Sequence, residues 1–258
     1  MTTVTEARQS TAGRSPRRIL AVMRLQYVNR MNVFVVPWIV LAFVLAINVA
    51  IWLIVFSNVG EADRADAQQG MQWSGASFYV FVYMAVIAAQ AIVYTFPFAL
   101  GISTTRRDYY LGTALAFLGL GVLYAAAMTL LAWIEQLSHG WGLGGIMFTA
   151  VYFGGPDAPV YVRFFVFLSL FLFCLFLGST ISAIWMRWRV YGMLVFGAAV
   201  AIVVLGLIAL FTFTGSWGLV GDWFATNGAV GMALWLLIPT LIAALSGYFI
   251  LSRATPRG

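Results

Sequence analysis

Lysine is absent from the chain: all 14 basic residues are arginine, and charged residues of both signs make up only 9% of the 258 positions. Without a lysine the chain has no P-loop, because that motif uses its lysine to reach the phosphates of a nucleotide. The same absence excludes chemistry that proceeds through a lysine Schiff base. No G-x-S-x-G nucleophile motif is present either. The sequence therefore offers none of these three catalytic centres.

Cysteine and histidine occur once each. Cys174 has no partner for an intrachain disulfide and is expected to behave as a small apolar residue. His139 has no cysteine or second histidine with which to form a zinc-binding set. The sequence therefore predicts neither a disulfide nor a metal site.

Apolar residues dominate the composition, at 63% of the chain, and the mean hydropathy is +0.96. A soluble domain has about 45–50% apolar and about 25% charged residues, so this composition indicates a chain that lies in a membrane. Six apolar segments reach the roughly 20 residues that a spanning helix needs, without strand-like alternation. They run over residues 32–59, 77–101, 111–133, 160–186, 191–214 and 229–251. We predict an all-α membrane protein with six transmembrane helices.

The arginines are distributed unevenly between the segments that connect these six helices. With an even number of spans both termini lie on one side, and 12 of the 14 arginines fall on that side. Only Arg64 and Arg163 fall on the other side, together with most of the acidic residues. Since basic residues accumulate in cytoplasmic loops, both termini and residues 102–110 are predicted to be cytoplasmic. This topology, with attraction to anionic lipid, accounts for the net charge of +6 without nucleic acid as a partner.

The first 31 residues are expected to precede a six-helix domain that covers residues 32–258. Residues 1–15 are polar and predict a disordered cytoplasmic tail, without the apolar core of a cleaved signal peptide. Residues 16–31 predict an amphipathic helix on the membrane surface. Its apolar positions are Leu20, Met23, Tyr27 and Met31. Its polar side holds Arg18, Gln26, Asn29 and Arg30, with Ile19 and Val22 straying onto it. A basic membrane anchor without a specific role is the alternative.

One predicted connection is short and highly charged: TTRRDYY, at residues 104–110, lies between the second and third spans. Ser103 or Thr104 is placed to cap a short helix over about residues 103–111. Its side chains form an aromatic pair and a polar rim: Tyr109 and Tyr110, and Arg106, Arg107 and Asp108. A short helix with apolar anchors suits insertion into a groove on a partner protein. In the alternative interpretation, the tyrosines belong to the aromatic belt of the membrane and the arginines only fix topology.

The predicted spans contain almost no ionisable residues, and Glu135 lies only at the outer end of the third. A proton or ion relay normally needs acidic residues at membrane depth, so the sequence disfavours ion-coupled transport. Gln90 and Tyr94, four residues apart in the second span, are candidate polar contacts for a cargo; a helix–helix hydrogen bond is the alternative for Gln90. An intramembrane enzyme that uses His139 or Glu135 is a further alternative.

The run FPFALGISTTRRDYYLGTAL, residues 96–115, resembles one part of the type-2 permease subunits of bacterial ATP-binding cassette exporters. In those proteins it corresponds to the end of span two, the cytoplasmic loop and the start of span three. The order of the other predicted parts is also similar: a surface helix, six spans, short second and fourth connections, and a segment that dips into the membrane before span six. The chain departs from the family at Thr105, where another small or polar residue is usual, and at Tyr109 and Tyr110, where phenylalanine is common.

The resemblance implies that residues 103–111 form a coupling helix, with residues 106–110 contacting a separate ATPase. It implies pairing with itself or a similar permease, and with two copies of an ATPase that binds ATP and Mg²⁺. This chain would then hold no cofactor and catalyse no reaction itself. Family members in the bacterial inner membrane move drugs, peptides, lipids or polysaccharides outward. An ion-coupled or energy-independent transporter, or a membrane scaffold, remains the alternative.

Overall fold

The computed structural model describes residues 16–60, 63–71, 73–101 and 104–253, and these residues form helices, turns and irregular segments without a strand. The α-helices of this part are α1 (Pro16–Gln26), α2 (Val36–Asn58), α3 (Arg64–Met71), α4 (Tyr79–Gly101), α5 (Arg106–Leu137), α6 (Val160–Phe213) and α7 (Trp217–Arg253). The predicted all-α fold is confirmed. The tail predicted over residues 1–15 and the candidate cap Ser103 lie outside the described residues.

Five of these helices are long and apolar enough to cross a membrane: α2, with the π-helical turn Met31–Val35 before it, and α4, α5, α6 and α7. The sequence predicts six spans, and the two numbers differ because residues 160–186 and 191–214 both lie in α6. This helix has 54 residues and is interrupted once, at Arg189 (φ 54°, ψ −137°). Similarly, α7 is interrupted at Gly228 (φ 57°, ψ −157°). Residues 217–227 thus form a short helical segment before the last predicted span.

The core lies where the first part of α6 packs against α4, α5 and α7. Aromatic side chains fill it: the rings of Phe81 and Phe171 are 4.5 Å apart, and Trp38 of α2 stacks on Tyr124 of α5 at 5.0 Å. Pairs of aromatic rings at these separations add attraction beyond the area that they bury. Beyond Arg189, by contrast, α6 is mostly exposed, and this apolar part faces outward.

The helix α1 packs against the start of α5 at Gly112. A Cβ atom at Gly112 would lie 2.6 Å from the Cβ of Val22, so only glycine allows this approach. The contact turns Val22 and Gln26 inward, where they are 4% and 5% exposed, and leaves Leu20 47% exposed. Val22 and Gln26, which the sequence analysis assigns to the polar side of this helix, thus pack against α5, and that contact depends on a partner that the local pattern does not include.

Candidate functional site

The charged segment predicted as a separate coupling helix is the first part of α5, which continues without a break to Leu137. The capping residue is Thr105, not Ser103 or Thr104: its Oγ1 accepts a hydrogen bond from the backbone N–H of Asp108 at 3.1 Å. A threonine side chain is well suited to this because it satisfies a donor that has no partner within the helix. The segment is therefore fixed rigidly to a helix long enough to cross the membrane.

Tyr109 is fully buried and joins three helices through its hydroxyl group. Its Oη lies 2.7 Å from Thr95 Oγ1 of α4. The side-chain amide of Gln26, at the end of α1, donates to Thr95 Oγ1 at 3.2 Å and to Thr113 Oγ1 of α5 at 2.8 Å. These four residues, Gln26, Thr95, Tyr109 and Thr113, form what we call the polar cluster. Because buried polar groups need partners, the cluster holds the adjoining ends of α1, α4 and α5 in one arrangement.

A second contact between α1 and α5 lies beside this cluster. Tyr27, just after α1, donates from its hydroxyl group to the carbonyl of Ala116 at 2.8 Å. Burial raises the pKa of the Tyr27 hydroxyl, because it disfavours the charged phenolate. The hydroxyl therefore stays a hydrogen-bond donor, and α1 is tied to α5 at two successive positions.

Tyr110 and Arg106 attach the same end of α5 to α7. The hydroxyl group of Tyr110 donates to the carbonyl of Ala244, and its ring packs edge-on against Tyr248 at 5.3 Å. Arg106 Nη1 donates to the carbonyl of Ser252 at 2.8 Å. A cation beside the last carbonyls of a helix is favourable because the helix dipole is negative there. The end of α7 therefore moves with the start of α5.

The burial of the two tyrosines corrects the prediction that they are anchors for a partner protein. Tyr109 is 0% exposed and Tyr110 7% exposed. Both rings pack inside the chain, so neither reaches a groove on a partner or the aromatic belt of the membrane. Asp108 is also buried, at 6% exposed, whereas Arg107 is exposed. The surface that this segment offers is therefore the guanidinium of Arg107 together with its immediate neighbours.

The candidate cargo contacts Gln90 and Tyr94 lie away from this assembly. Both are exposed on one face of α4, Tyr94 at 73%. Neither side chain belongs to the polar cluster. Helical spacing places the two side chains on one face of α4, as predicted. This face lies on the outside of the bundle that the described residues form.

At the other end of α5, Glu135 holds a loop in place. Its side chain is 1% exposed. The carboxylate accepts hydrogen bonds from the backbone N–H groups of Phe148 (3.1 Å) and Thr149 (2.9 Å), from Thr149 Oγ1 (2.7 Å) and from the indole of Trp141 (3.1 Å). Such bonds to a charged acceptor are strong. The carboxylate thus closes the segment that connects α5 to α6.

Arg163, in the first turn of α6, is fully buried beside this loop. Its guanidinium donates to the carbonyl of Gly155 at 2.8 Å and to Gln136 Oε1 at 3.1 Å. His139 is exposed and adopts a left-handed backbone conformation, with φ 51°. Glu135 and Arg163 therefore both hold backbone groups of the loop between α5 and α6 in place.

An apolar cavity of about 740 Å³ lies between the end of α6 and the two segments of α7. Aromatic side chains form much of its wall: Phe211, Trp223, Phe224 and Trp235. Ser216 is the one lining residue with a polar side chain other than the indoles. A cavity of this size and lining suits an apolar or amphipathic molecule.

Comparisons with protein-family models, with curated proteins and with solved structures find no match to this chain. Within residues 16–60, 63–71, 73–101 and 104–253, no group of three or more histidine, cysteine, aspartate or glutamate side chains could hold a metal ion. The candidate site is therefore described by its own contacts alone.

Sequence reasoning missed three members of the polar cluster: Gln26, Thr95 and Thr113. A signal was available, because Tyr109 and Thr113 are four residues apart and lie on one face of a helix. Polar side chains in apolar helices commonly bond between helices. Which polar residues meet, however, depends on contacts 69 to 87 residues apart in the chain, and a local pattern does not specify those.

Proposed function

We propose that the chain is the membrane-spanning permease subunit of a bacterial ATP-binding cassette exporter, located in the inner membrane. In this proposal it crosses the membrane six times, with both termini in the cytoplasm. A separate ATPase, present in two copies, supplies the energy. The arginine distribution, the missing P-loop lysine and the resemblance of residues 96–115 support the assignment. The chain itself binds neither ATP nor Mg²⁺.

The six-span topology is supported by the interruption of α6. A straight helix of 54 residues would be about 80 Å long, whereas the hydrocarbon core of a bilayer is about 30 Å thick. The interruption at Arg189 leaves an apolar segment on each side, and each is long enough for one crossing. We propose that the chain reverses there, which gives six crossings in total.

The observation that carries the functional proposal is how residues 105–111 are attached. The exposed side chain of Arg107 stands on a helix start that is bonded to α1, α4 and α7 through Gln26, Thr95 and Ser252. A partner protein that pushes on this surface would move the ends of four helices together. This is the mechanical property that a coupling segment needs. The tyrosines transmit the motion inside the chain and do not contact the partner.

The cargo is proposed to be amphipathic or hydrophobic, such as a drug, a peptide or a lipid-like molecule. The aromatic cavity of about 740 Å³ supports this class, as do the few polar side chains within the spans. A transport path between two permease copies would use outward-facing surfaces. The exposed face of α4 with Gln90 and Tyr94, and the second part of α6, are available for that pairing.

Co-purification from native membranes tests the proposal. A tagged full-length chain, extracted in a mild detergent, is expected to retain an ATPase with a Walker motif. Arg107→Glu places a negative charge on the exposed surface and should lower the yield of that ATPase about tenfold. Arg64→Glu is the matched control, because Arg64 is also exposed but precedes α4 on the predicted opposite side. Equal recovery of the ATPase in all three samples would contradict the role of Arg107, and no ATPase in any sample would favour an ion-coupled transporter or a scaffold.

A further inference from the structure

A second groove, of about 430 Å³, lies where α6 is interrupted and where α7 ends. Its wall is apolar or aromatic throughout, and includes Trp188, Tyr191 and Val195 of α6 and Ile250 of α7. The groove is separate from the aromatic cavity near Trp223, because the two share no lining residue. The groove is therefore not part of the cavity that we propose for the cargo.

Three arginines lie close in the chain to residues that line this groove. Arg187 and Arg189 flank Trp188 in the chain, and Arg253 lies one helical turn after Ile250; all three are exposed. The guanidinium carbon of Arg187 lies 4.5 Å from the centroid of the Trp188 ring. A guanidinium on an aromatic ring makes a cation–π contact and can still donate N–H groups to an anion. The guanidinium of Arg187 thus lies directly on an aromatic side chain of the groove wall.

The backbone of Arg189 is strained, which is unusual for an arginine at a chain reversal. Its φ of 54° and ψ of −137° fall in a region that essentially only glycine adopts without cost. A glycine would fit the interruption better, yet the position carries a long cationic side chain. The interruption therefore places an exposed cationic side chain at a position where glycine would cost less.

The position of the groove relative to the membrane indicates which anion it binds. Long apolar helical segments precede and follow Arg189, so the arginines lie at a membrane surface, where the phosphates of lipids are concentrated. We propose that this groove binds one anionic phospholipid, with its phosphate on Arg187 and Arg189 and an acyl chain along Trp188, Val195 and Ile250. The proposal rests on the proposed reversal of the chain at Arg189 and does not depend on the exporter function.

A thermal-unfolding titration of the full-length protein in a neutral detergent tests this site. The ligands are short-chain phosphatidylglycerol, short-chain phosphatidylcholine and glycerol 3-phosphate. Phosphatidylglycerol should raise the Tm in a saturable manner, and the other two should not at the same concentration. Arg187→Gln and Arg189→Gln should each raise the apparent Kd about fivefold. Val195→Trp, which fills the groove but keeps the arginines, should also weaken binding.

Two further variants separate the loss of the binding charge from a loss of folding and from a general loss of positive charge. Arg189→Gly removes the charge and the backbone strain together, so it should fold and still bind phosphatidylglycerol about fivefold more weakly. Arg107→Gln removes an exposed arginine that is not at the groove and should leave the Kd unchanged. Equal stabilisation by phosphatidylcholine, equal stabilisation by glycerol 3-phosphate, or equal weakening by Arg107→Gln would each overturn a specific phospholipid site.

Discussion

Gln26 is the residue whose side chain contacts all three other members of the polar cluster. It is 5% exposed, and its amide donates to Thr113 and Thr95 while it lies 3.4 Å from the hydroxyl group of Tyr109. Removing one member of a buried network leaves its partners without hydrogen bonds, and each such group costs about 1–3 kcal/mol. The stability of the site therefore depends strongly on the side chain of Gln26, which is far in the sequence from the charged segment.

Gln26→Leu should destabilise the protein by about 1–3 kcal/mol because it leaves Thr113 and Thr95 with fewer partners. The measurement is the midpoint of thermal unfolding in detergent, which should fall by several degrees. Gln90→Leu is the matched control: it removes the same amide from an exposed position of α4 and should change stability by less than about 0.5 kcal/mol. Equal effects of the two substitutions would contradict the role of the polar cluster.

Glu135→Gln should loosen the loop between α5 and α6. Glutamine keeps the shape of the side chain but replaces one acceptor oxygen by an NH₂ group that faces other donors. Hydrogen exchange of the backbone N–H groups of Met147, Phe148 and Thr149 is then expected to accelerate at least about tenfold, since bonds to a charged acceptor contribute about 1.5–3 kcal/mol. Asp157→Asn changes an exposed carboxylate of the same loop and should leave these rates unchanged. Unaltered exchange in Glu135→Gln would argue that other contacts hold the loop.

At the scale of elements, α5 connects the two ends of the molecule. Its 32 residues extend about 48 Å, well beyond the roughly 30 Å of a hydrocarbon core. Its Thr105 end carries the polar cluster and the attachment of α7, and its other end carries Glu135. One continuous helix therefore joins the exposed Arg107 to the far end of the bundle.

The interruptions in α6 and α7 lead to opposite predictions for two substitutions. Arg189→Gly should raise the Tm in the absence of lipid, because glycine adopts the observed positive φ without the cost of about 1–3 kcal/mol that arginine incurs. Gly228→Ala should lower it, because Gly228 has a φ of 57° and a ψ of −157°. Gly206→Ala is the control: it lies inside α6 with no atom within 4 Å of an added Cβ, and alanine favours the helix. A lower Tm in Arg189→Gly would show that the guanidinium contributes more than the strain costs.

The apolar helices could be predicted from the sequence. A helix that crosses lipid needs a long run of apolar residues, and a hydropathy profile locates such runs. Hydropathy also divides the chain at Arg187 and Arg189, close to the interruption that the structure has at Arg189. The charged segment at Arg107 could also be located, but the burial of Tyr109 could not. That burial depends on Gln26, which is 83 residues away in the chain.

For the whole molecule, the central geometric expectation is that the Thr105 end of α5 faces the cytoplasm. Labelling with a membrane-impermeant maleimide tests it in a Cys174→Ala background. Arg107→Cys should react only in inside-out vesicles, whereas Asp222→Cys, also at an exposed position, should react in intact cells. The expected difference in rate is at least about tenfold, because the reagent is charged and does not cross the bilayer. The reverse pattern would place the coupling segment outside the cell.

The central functional proposal also concerns the whole molecule. In it, this chain provides the transport path, and a separate ATPase provides the energy by hydrolysing ATP. The most direct measurement is ATP hydrolysis in lipid vesicles, by the chain purified alone and by the chain purified with its associated proteins. We expect no hydrolysis by the chain alone, because it has no P-loop lysine, and steady hydrolysis by the assembly that Arg107→Glu reduces. Hydrolysis by the isolated chain, or an assembly with no ATPase activity, would contradict the account.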